Sequence, residues 1–578
     1  MAGLTDAQLA AVGDVKEFTK NSSQIRLIGV GDWRGSAALK LEIETSDFPR
    51  HDTGLNAEPV ERVTVHVAPS YPSTPPRASV EHLRWAGFPH VLQGSRLCIY
   101  LDPNIEWDPI RGMQGFLLRL WEWFGDAIAG RFDAATALYQ AVGGVLHRTP
   151  GAPTIVASLP MPAEITSGDL AHRIGLHQRT ENRIDIAAWV PPFEPDLLPG
   201  VLVVLPEYLP LGGGHLLSDL LTTVRHQVDR KHRRVMEVSI RRALRSLGED
   251  QFLHVVIAVP NPAHRHCAAL HLIGWRLGAR DAARALPAAR SAATTTSSRE
   301  EPPVEWTYVD DQRPDVTMRR DSDRPVALFS GSSVAVWGCG ALGSWVAELL
   351  VRTGAQRVTL RDPGFVTRGL LVRQNYTEVD VGRPKAEALA DRLKLLSDPC
   401  EVMAVSSYAQ DGLEEDATSC DFIFDTSVNT SVNAAVHEAQ RRGQLNVPIV
   451  QLATDNQTAT LGILTITHGN PSITTFDLDE ALQEKVADDS SLGPYRVLWN
   501  RDDHPPFTPA VGCSVPTFHG SAADAMAVAT IALNLASEAL RRNVAGAYLF
   551  SLPSNSLGAP ALVAVAASSV LEPRSDER

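Results

Sequence analysis

The chain has 578 residues, of which 44% are hydrophobic and 21% are charged, and its formal net charge is −14 at pH 7. This composition is typical of a globular protein, the length exceeds what one core supports, and the acidic balance argues against a general nucleic-acid-binding protein. The six cysteines include no CxxC pair, which disfavours a structural zinc site. The sequence has neither the pattern of a signal peptide nor a long uninterrupted apolar run, so we expect a cytoplasmic protein of several domains.

The first predicted domain spans residues 1–150. It opens with an amphipathic helix and continues through strand-like runs to the proline-rich segment YPSTPP at residues 71–76. Clustered prolines after a strand fix φ and cannot pair in a ladder, so this segment predicts a rigid turn leading out of a sheet. Pro89-His90, Cys98 and Trp107-Asp108-Pro109 follow in that order, and a helical stretch then closes the segment.

The order and spacing of these landmarks resemble the ubiquitin-conjugating (UBC) fold. The resemblance implies that Cys98 is a catalytic cysteine that carries a thioester, and that His90 stands where the family has an asparagine. A histidine there could donate a hydrogen bond to an oxyanion or act as a base on the incoming nucleophile, or it could only cap a turn. The alternative for Cys98 is a buried structural thiol, since cysteine is among the most buried residue types.

Residues 151–285 carry no motif that identifies a family, and we predict a connecting domain of α/β or α+β type. A basic helix over residues 225–245 indicates either a solvated face or a docking surface for an acidic partner. Residues 286–325 are rich in Ala, Ser and Thr and then in charge and proline, which predicts a flexible linker.

The last predicted domain, residues 326–572, opens with a strand–turn–helix–strand pattern. A β-rich run leads into Gly338, Gly340 and Gly343, and a second strand-like run ends at Asp362. Glycines let the backbone approach a ligand closely, the helix N-terminus faces its phosphates, and an acid about 20 residues further on accepts a hydrogen bond from a ribose hydroxyl. The pattern predicts a Rossmann-like nucleotide-binding domain, and taken alone it leaves the nucleotide open.

Polar residues downstream narrow the choice of nucleotide. Arginine and lysine suit the triphosphate of ATP, and an aspartate at the carboxyl end of a strand is well placed to hold magnesium. This arrangement resembles the ThiF/MoeB superfamily, the adenylating enzymes that include the activating enzymes of ubiquitin-like pathways. The resemblance implies ATP and Mg²⁺ as cofactors, with these site residues: Gly338, Gly340 and Gly343 in the loop, Asp362 at the ribose, Arg373, Gln374 and Lys385 at the phosphates, and Asp425 at the metal.

Three positions depart from the pattern of that superfamily. Gly364 and Leu370 stand where the family usually has a second acid and an asparagine, and Asn433 falls about where it has an arginine. These departures bear on the efficiency of adenylation and on the details of the substrate.

A further thiol, Cys513, lies in a loop flanked by Gly512 and Pro516, just before a long helix of small residues. Such a position favours exposure and a pKa lowered by the positive end of the helix. In activating enzymes of the resembled superfamily a cysteine on a mobile segment attacks the acyl-adenylate, which makes Cys513 the candidate here. The alternative is a structural cysteine, and we expect the helix itself to be core or dimer interface.

The predicted fold is a multidomain α/β protein, with an N-terminal α+β UBC-like domain, a middle α/β connecting domain and a C-terminal Rossmann-like ThiF adenylation domain. This combination resembles the bacterial CBASS-type fusion proteins of antiphage operons. The resemblance implies activation of the C-terminus of a ubiquitin-like protein or a cGAS-like nucleotidyltransferase, a thioester on Cys513, transfer to Cys98, and ligation to an amine of a target protein. It also implies a homodimer through the adenylation domain. The net charge and the lack of a long apolar run, in turn, predict no direct nucleic-acid partner and no membrane.

Two other functions fit parts of the sequence. A sulfur-carrier adenylyltransferase of cofactor biosynthesis would use the C-terminal domain but leave Cys98 without a role. A nucleotide-binding adaptor without conjugating activity would fit the departures at Gly364 and Leu370.

Overall fold

The computed structural model divides into two compact units, Met1–Met318 and Arg319–Arg578. The residues it describes are 3–132 except 83, 86–87 and 93–94; 149–206 except 168–170; 216–227; 230–260; 270–291; 303–316 except 315; 319–469; 472–500; 520–555; and 558–567. Cys513, the predicted thioester cysteine of the C-terminal domain, lies outside the described residues.

The N-terminal domain is an antiparallel sheet covered on one face by helices, as an α+β domain requires. Apolar residues alternate along the strands, so that Leu39, Leu41 and Ile43 are fully buried on the helix side. The strand order is β1-β2-β3-β4-β6-β5. The elements are α1 (Asp6–Lys20), β1 (Ile25–Trp33), β2 (Ser36–Glu44), β3 (Val60–Val67), β4 (Arg77–Ser79), β5 (Val91–Leu92), β6 (Arg96–Leu97), α2 (Pro103–Glu106) and α3 (Gly112–Ile128).

The middle domain is a mixed sheet of eight strands in the order β13-β12-β11-β10-β8-β9-β7-β14. Its strand β11 is apolar and buried almost throughout, which is the pattern of a strand covered on both faces. The elements are β7 (Thr154–Ala157), α4 (Ala163–Ser167), β8 (Ala171–Thr180), β9 (Arg183–Ala188), β10 (Leu198–Val204), α5 (Leu217–Gln227), α6 (Arg230–Arg245), β11 (Phe252–Pro260), β12 (Leu270–Gly278), α7 (Ala279–Ser291), β13 (Glu305–Thr307) and β14 (Val309–Asp311).

Part of the segment predicted as a flexible linker belongs to this middle sheet. Strand β13 pairs with β12 and strand β14 pairs with β7, and Trp306 of β13 is only 7% exposed. The linker prediction over residues 286–325 is therefore wrong for residues 305–311. Strands of three residues are too short to show a period-2 pattern, so tertiary pairing rather than local sequence decides their structure.

The C-terminal unit has a sheet in the order β17-β16-β15-β18-β19-β20-β21-β22, parallel from β17 to β19 and antiparallel beyond. The direction of winding reverses between β15 and β18, and open α/β sheets bind ligands at the carboxyl ends of the strands at such a point. The elements are β15 (Ser333–Trp337), α8 (Gly343–Arg352), β16 (Arg357–Arg361), α9 (Lys385–Lys394), β17 (Glu401–Val405), α10 (Leu413–Ser419), β18 (Phe422–Asp425), α11 (Thr430–Arg441), β19 (Ile449–Thr454), β20 (Leu461–Thr467), α12 (Thr475–Asp488), α13 (Ala522–Arg541), β21 (Gly546–Ser551) and β22 (Leu562–Ala566).

Helix α13 is, within the described ranges, the one helix long and apolar enough to cross a membrane, and half of that stretch is buried. Its buried face includes Ala529, Ala532 and Ala536, which pack in the same core cluster as residues of α8 and β20. The helix is therefore part of the core of the C-terminal unit, one of the two roles expected from its sequence.

Candidate functional site

The glycine loop after β15 lies at the switch point of the C-terminal sheet. Gly338 has φ +83°, and a Cβ there would lie 2.8 Å from Ser427 Cα in the segment after β18. A Cβ on Gly343 would lie 1.8 Å from the Gly338 carbonyl oxygen, so this glycine lets the helix begin against the loop. Gly340 borders open space, where a ligand can approach the backbone. The close packing at Gly338 and Gly343 and the open space at Gly340 suit a phosphate-binding loop, which stays a prediction.

Asp362, the predicted ribose ligand, follows β16 and is 8% exposed. One carboxylate oxygen accepts a hydrogen bond from the Cys339 N–H at 2.7 Å, and the other accepts one from the Gly364 N–H at 2.7 Å. Each carboxylate oxygen has a second lone pair, so the group can still accept a hydrogen bond from a hydroxyl. Asp362 thus also fixes the glycine loop, a role that the sequence pattern did not indicate.

Gly364 brings Lys385 to the side of Asp362. A Cβ at this position would lie 2.9 Å from Asp362 Oδ1 and 3.6 Å from Cδ and Cε of Lys385. The Lys385 N–H, at the start of α9, donates to the Gly364 carbonyl at 2.9 Å. Glycine at residue 364 therefore lets the backbone approach the Asp362 carboxylate closely, with the Lys385 stem alongside.

Arg373 and Gln374 lie on a segment that packs on the first turns of α8. The indole N–H of Trp345 donates to the Arg373 carbonyl at 3.2 Å, and the Asn375 amide donates to Glu348 Oε2 at 2.6 Å. Gln374 is 6% exposed, and its buried Oε1 accepts no hydrogen bond from the residues that the structure describes. A buried acceptor in that state costs free energy that a ligand donor would offset.

Tyr376 ties the same segment to the glycine loop. Its hydroxyl donates to the Cys339 carbonyl at 2.8 Å, and burial raises the pKa of the phenol, which keeps it a donor. Neither Tyr376 nor Asn375 was predicted from the sequence. The signal available in the sequence was the Asn-Tyr pair directly after the predicted Arg373-Gln374.

Asp425, the predicted magnesium ligand, is 3% exposed at the end of β18. Oδ1 accepts hydrogen bonds from the N–H and the hydroxyl of Ser427, and Oδ2 accepts one from Gln451 at 2.9 Å. Burial raises the pKa of this carboxyl group. A bound cation would favour the ionised form, so Asp425 is a chemically suitable ligand for Mg²⁺.

A cavity of about 110 Å³ adjoins Asp425 and is lined also by Asn433, Gln451 and Asp479. The Gln451 amide donates to both Asp425 and Asn433, so Asn433 is drawn into the same hydrogen-bond chain at 3.0 Å. Carboxylate and amide oxygens are the donors that Mg²⁺ prefers, and the lining therefore fits this ion.

Cys98, the predicted catalytic cysteine of the N-terminal domain, is half-buried directly after β6. Its N–H donates to the His90 carbonyl at 2.9 Å, and its thiol donates to the Tyr100 carbonyl at 3.3 Å. Burial raises the pKa of the thiol, while the charge of Arg96 acts in the opposite direction. The thiol is held in place and partly accessible, unlike a sealed core cysteine.

His90 has the left-handed φ of +63° and is 5% exposed. Its ring packs edge-on against Phe132, with centroids 4.6 Å apart, and burial together with the charge of Arg119 lowers its pKa. The imidazole is therefore neutral near pH 7. The His90 carbonyl accepts the hydrogen bond that fixes the backbone of Cys98. This contact suits a residue that supports the turn better than one that acts as a base at the surface.

The proline turn and the tryptophan landmark meet in the structure. The indole N–H of Trp107 donates to the Pro72 carbonyl at 2.8 Å, and the Trp107 and Tyr71 rings lie 6.3 Å apart. The proline turn and the tryptophan on either side of Cys98 in the sequence thus contact each other in the structure.

Of the remaining thiols within the described residues, Cys339 and Cys400 are buried, whereas Cys420 is partly exposed like Cys98. Cys339 is fully buried in the glycine loop, and burial and the charge of Asp362 raise its pKa well above the usual value. Burial also raises the pKa of Cys400 and of Cys420. A raised pKa lowers the thiolate fraction of these three near neutral pH, as it does for Cys98.

Two family models match separate parts of the chain. Residues 34–139 match Prokaryotic E2 family A, and residues 326–490 match the ThiF family. The chain joins an E2-like domain to a ThiF domain. The expected fold class is thereby confirmed, with the Rossmann-like sheet in the C-terminal part and the E2-like domain at the N-terminus.

Known relatives match short stretches of the chain. The tRNA threonylcarbamoyladenosine dehydratase of Escherichia coli strain K12 is 36% identical over 93 residues, which are 16% of this chain and 35% of that protein. The ubiquitin-like modifier-activating enzyme ATG7 of Komagataella pastoris is 38% identical over 73 residues, 12% of this chain and 11% of that protein. The chain spans about a third to a half of the length of the three bacterial dehydratases that it matches.

Among solved structures, the crystal structure of Escherichia coli MccB with ATP aligns at 15% identity and a TM-score of 0.30, over 42% of this chain and 66% of that one.

Proposed function

We propose that the chain activates the C-terminal carboxylate of a partner protein with ATP and conjugates that protein to an amine, most simply a lysine. The partner is a ubiquitin-like protein or a cGAS-like nucleotidyltransferase, and the setting is antiphage defence in the cytoplasm, as the resemblance to CBASS-type fusions suggests. The observation that carries this proposal is the presence, in one chain, of a ThiF glycine loop and an E2-like domain whose Cys98 is partly accessible.

The proposed reaction proceeds in four transfers. The carboxylate oxygen of the partner attacks the α-phosphorus of ATP and pyrophosphate leaves, which turns a poor electrophile into an acyl-adenylate. The Cys513 thiolate attacks the acyl carbon and AMP leaves. The Cys98 thiolate then attacks that thioester and Cys513 leaves, and finally the amine attacks, Cys98 leaves as thiolate, and the nitrogen loses its proton.

The geometry at the C-terminal site supports the first transfer. Gly340 leaves the loop backbone open to phosphates, Asp362 retains lone pairs for ribose hydroxyls, and Lys385 lies beside it with a charge suited to a phosphate. Arg373 and Gln374 are proposed to contact the phosphates during adenylation. Asp425 and Asn433 would hold Mg²⁺, whose charge would offset that of the phosphates.

The two curated relatives named above do not separate conjugation from other adenylate chemistry, since one is a tRNA-modifying dehydratase and the other a modifier-activating enzyme. The E2-like match over residues 34–139 favours conjugation, because neither sulfur transfer nor a passive adaptor needs Cys98. We also propose that the protein acts as a homodimer through the ThiF domain.

The test is to incubate the full chain with ATP, Mg²⁺ and the proteins encoded beside it, and to separate the products on a non-reducing gel. Thioesters at both Cys98 and Cys513 are expected, and Cys513→Ala should abolish both while leaving ATP–pyrophosphate exchange intact. Cys98→Ala should leave the Cys513 thioester and stop conjugation. Conjugation by Cys98→Ala at the wild-type rate would refute the order of the relay.

A further inference from the structure

A groove of about 920 Å³ crosses the outer face of the N-terminal sheet, opposite its helices. Residues of β1, β2, β3, β4 and β6 line it, including Lys40, His66 and Arg77. Its volume lies within the range of about 300–1,000 Å³ that is usual for binding pockets. The groove has no role in the proposed relay.

Cationic side chains outnumber carboxylates in the groove, with Lys40, Arg77 and Arg96 against Asp32 and Glu81. Arg77 and Arg96 both line it, and their guanidinium groups form no ion pair with the residues that the structure describes. Burial and the charge of Arg77 lower the pKa of Arg96, so the two cations repel each other. Lys40, in contrast, pairs with Glu81 at 3.3 Å. In a chain of net charge −14, two neighbouring cations that form no ion pair within the described residues are complementary to an anionic ligand.

The cationic end of the groove adjoins Cys98. Arg96 lines the groove and lies two residues before Cys98, and its charge acts on the Cys98 thiol. Leu97 is buried in the core, and side chains alternate along a strand, so Arg96 belongs to the outer side of the sheet, where the groove lies. Cys98 directly follows β6, next to the end of the groove that Arg96 lines.

The rest of the groove offers an aromatic and apolar surface. Trp33 is 54% exposed, and its ring lies 5.0 Å from that of His66. Val30 and Pro75 also line the groove. An exposed tryptophan beside cations is typical of a surface that binds another chain.

We propose that this groove binds an acidic, extended segment of the acceptor protein and so presents a lysine of that segment to Cys98. Carboxylates of the segment pair with Arg77 and Arg96, and apolar side chains cover Trp33. The role as an acceptor site rests on the proposed function, whereas the binding of an acidic segment does not.

Binding is tested on the full chain by fluorescence anisotropy with a fluorescein-labelled peptide that has a lysine between pairs of glutamates, and with its glutamine counterpart. We expect the glutamate peptide to bind about ten-fold or more tightly than the glutamine peptide, and the double substitution Arg77→Gln, Arg96→Gln to remove that difference. Arg62→Gln is the matched control, because Arg62 is paired with Glu42 on the same sheet and does not line the groove. Equal binding of both peptides, or an equal loss in Arg62→Gln, would overturn the proposal.

A second measurement separates this proposal from the relay. Once a Cys98 thioester has been formed, its discharge to each peptide is followed in a single turnover. Faster discharge to the glutamate peptide, lost in the double variant, supports the acceptor site. Discharge without preference refutes the acceptor site and leaves the relay intact, whereas peptide binding without any thioester on Cys98 refutes the relay and leaves the groove.

Discussion

The glycine loop and the Cys98 segment are held in different ways. In the glycine loop, side chains form hydrogen bonds with the backbone. Asp362 accepts a hydrogen bond from the Cys339 N–H, Tyr376 donates one to the Cys339 carbonyl, and Thr426 donates one to the Gly338 carbonyl at 2.7 Å. At Cys98 the backbone pairs with the His90 carbonyl, and burial and charge set the state of the thiol. The first site is therefore held by side-chain hydrogen bonds, while at the second site burial and the charge of Arg96 act on the thiol pKa in opposite directions.

The largest expected effect tests preorganisation of the loop. Gly338→Ala places a Cβ 2.8 Å from Ser427 Cα at a φ of +83°, which requires the loop or the segment after β18 to move. We expect ATP–pyrophosphate exchange to fall by about 100-fold or more, since positioning errors of about 1 Å cost that much. Gly493→Ala, where a Cβ meets nothing within 4 Å, should retain exchange. Equal exchange in Gly338→Ala and wild type would contradict the close packing of the loop.

The second-largest expected effect concerns the buried ion pair beside the predicted nucleotide site. Arg361, next to Asp362, is 3% exposed and is paired with the 1% exposed Asp416, which also accepts from the Trp337 indole N–H at 2.7 Å. Asp416→Ala leaves the buried Arg361 with the exposed Glu415 as its ion-pair partner and the Trp337 N–H without an acceptor, so it should lower the free energy of unfolding by about 3 kcal/mol. Chemical denaturation checks this.

The surface pair of Arg357 and Glu401 is the control for that measurement. Their side chains are 39% and 56% exposed, so Glu401→Ala should cost about 1 kcal/mol or less. A loss in Asp416→Ala no greater than in Glu401→Ala would show that the buried pair does not support the site.

The sequence allowed the parts of each site that depend on local pattern to be predicted. Gly338, Gly343 and Asp362 follow from one strand–turn–helix–strand unit, and Cys98 follows from the spacing of its landmarks. The contacts of Tyr376 with Cys339 join residues 37 positions apart, and no local period encodes them. The left-handed backbone of His90 could not be predicted from the sequence either, because the surrounding structure holds a non-glycine residue at positive φ.

The third prediction tests one such hidden contact. Tyr376→Phe removes the hydroxyl that donates to the Cys339 carbonyl and leaves that buried acceptor unsatisfied. We expect a loss of about 1–3 kcal/mol in the free energy of unfolding, together with weaker ATP binding from a looser loop. Tyr408→Phe, at a ring that is 51% exposed, is the control. If both variants unfold alike and exchange alike, the hydroxyl does not order the loop.

The smallest expected effect concerns the Cys98 thiol and distinguishes this site from the glycine loop. Because burial raises the pKa of Cys98, its thiolate fraction at pH 7 is below that of an ordinary cysteine, and its rate of alkylation should keep rising with pH above 8.5, about where a free cysteine reaches half its limit. Arg96 is the cation that opposes this shift most, so Arg96→Gln should raise the pKa further and slow alkylation at pH 8 by a few-fold. Peptide-level mass spectrometry after timed iodoacetamide treatment isolates Cys98 from the other thiols, and Arg62→Gln controls for net charge. A rate profile unmoved by Arg96→Gln would mean that charge does not tune this thiol, and the contrast between the two sites would then reduce to burial alone.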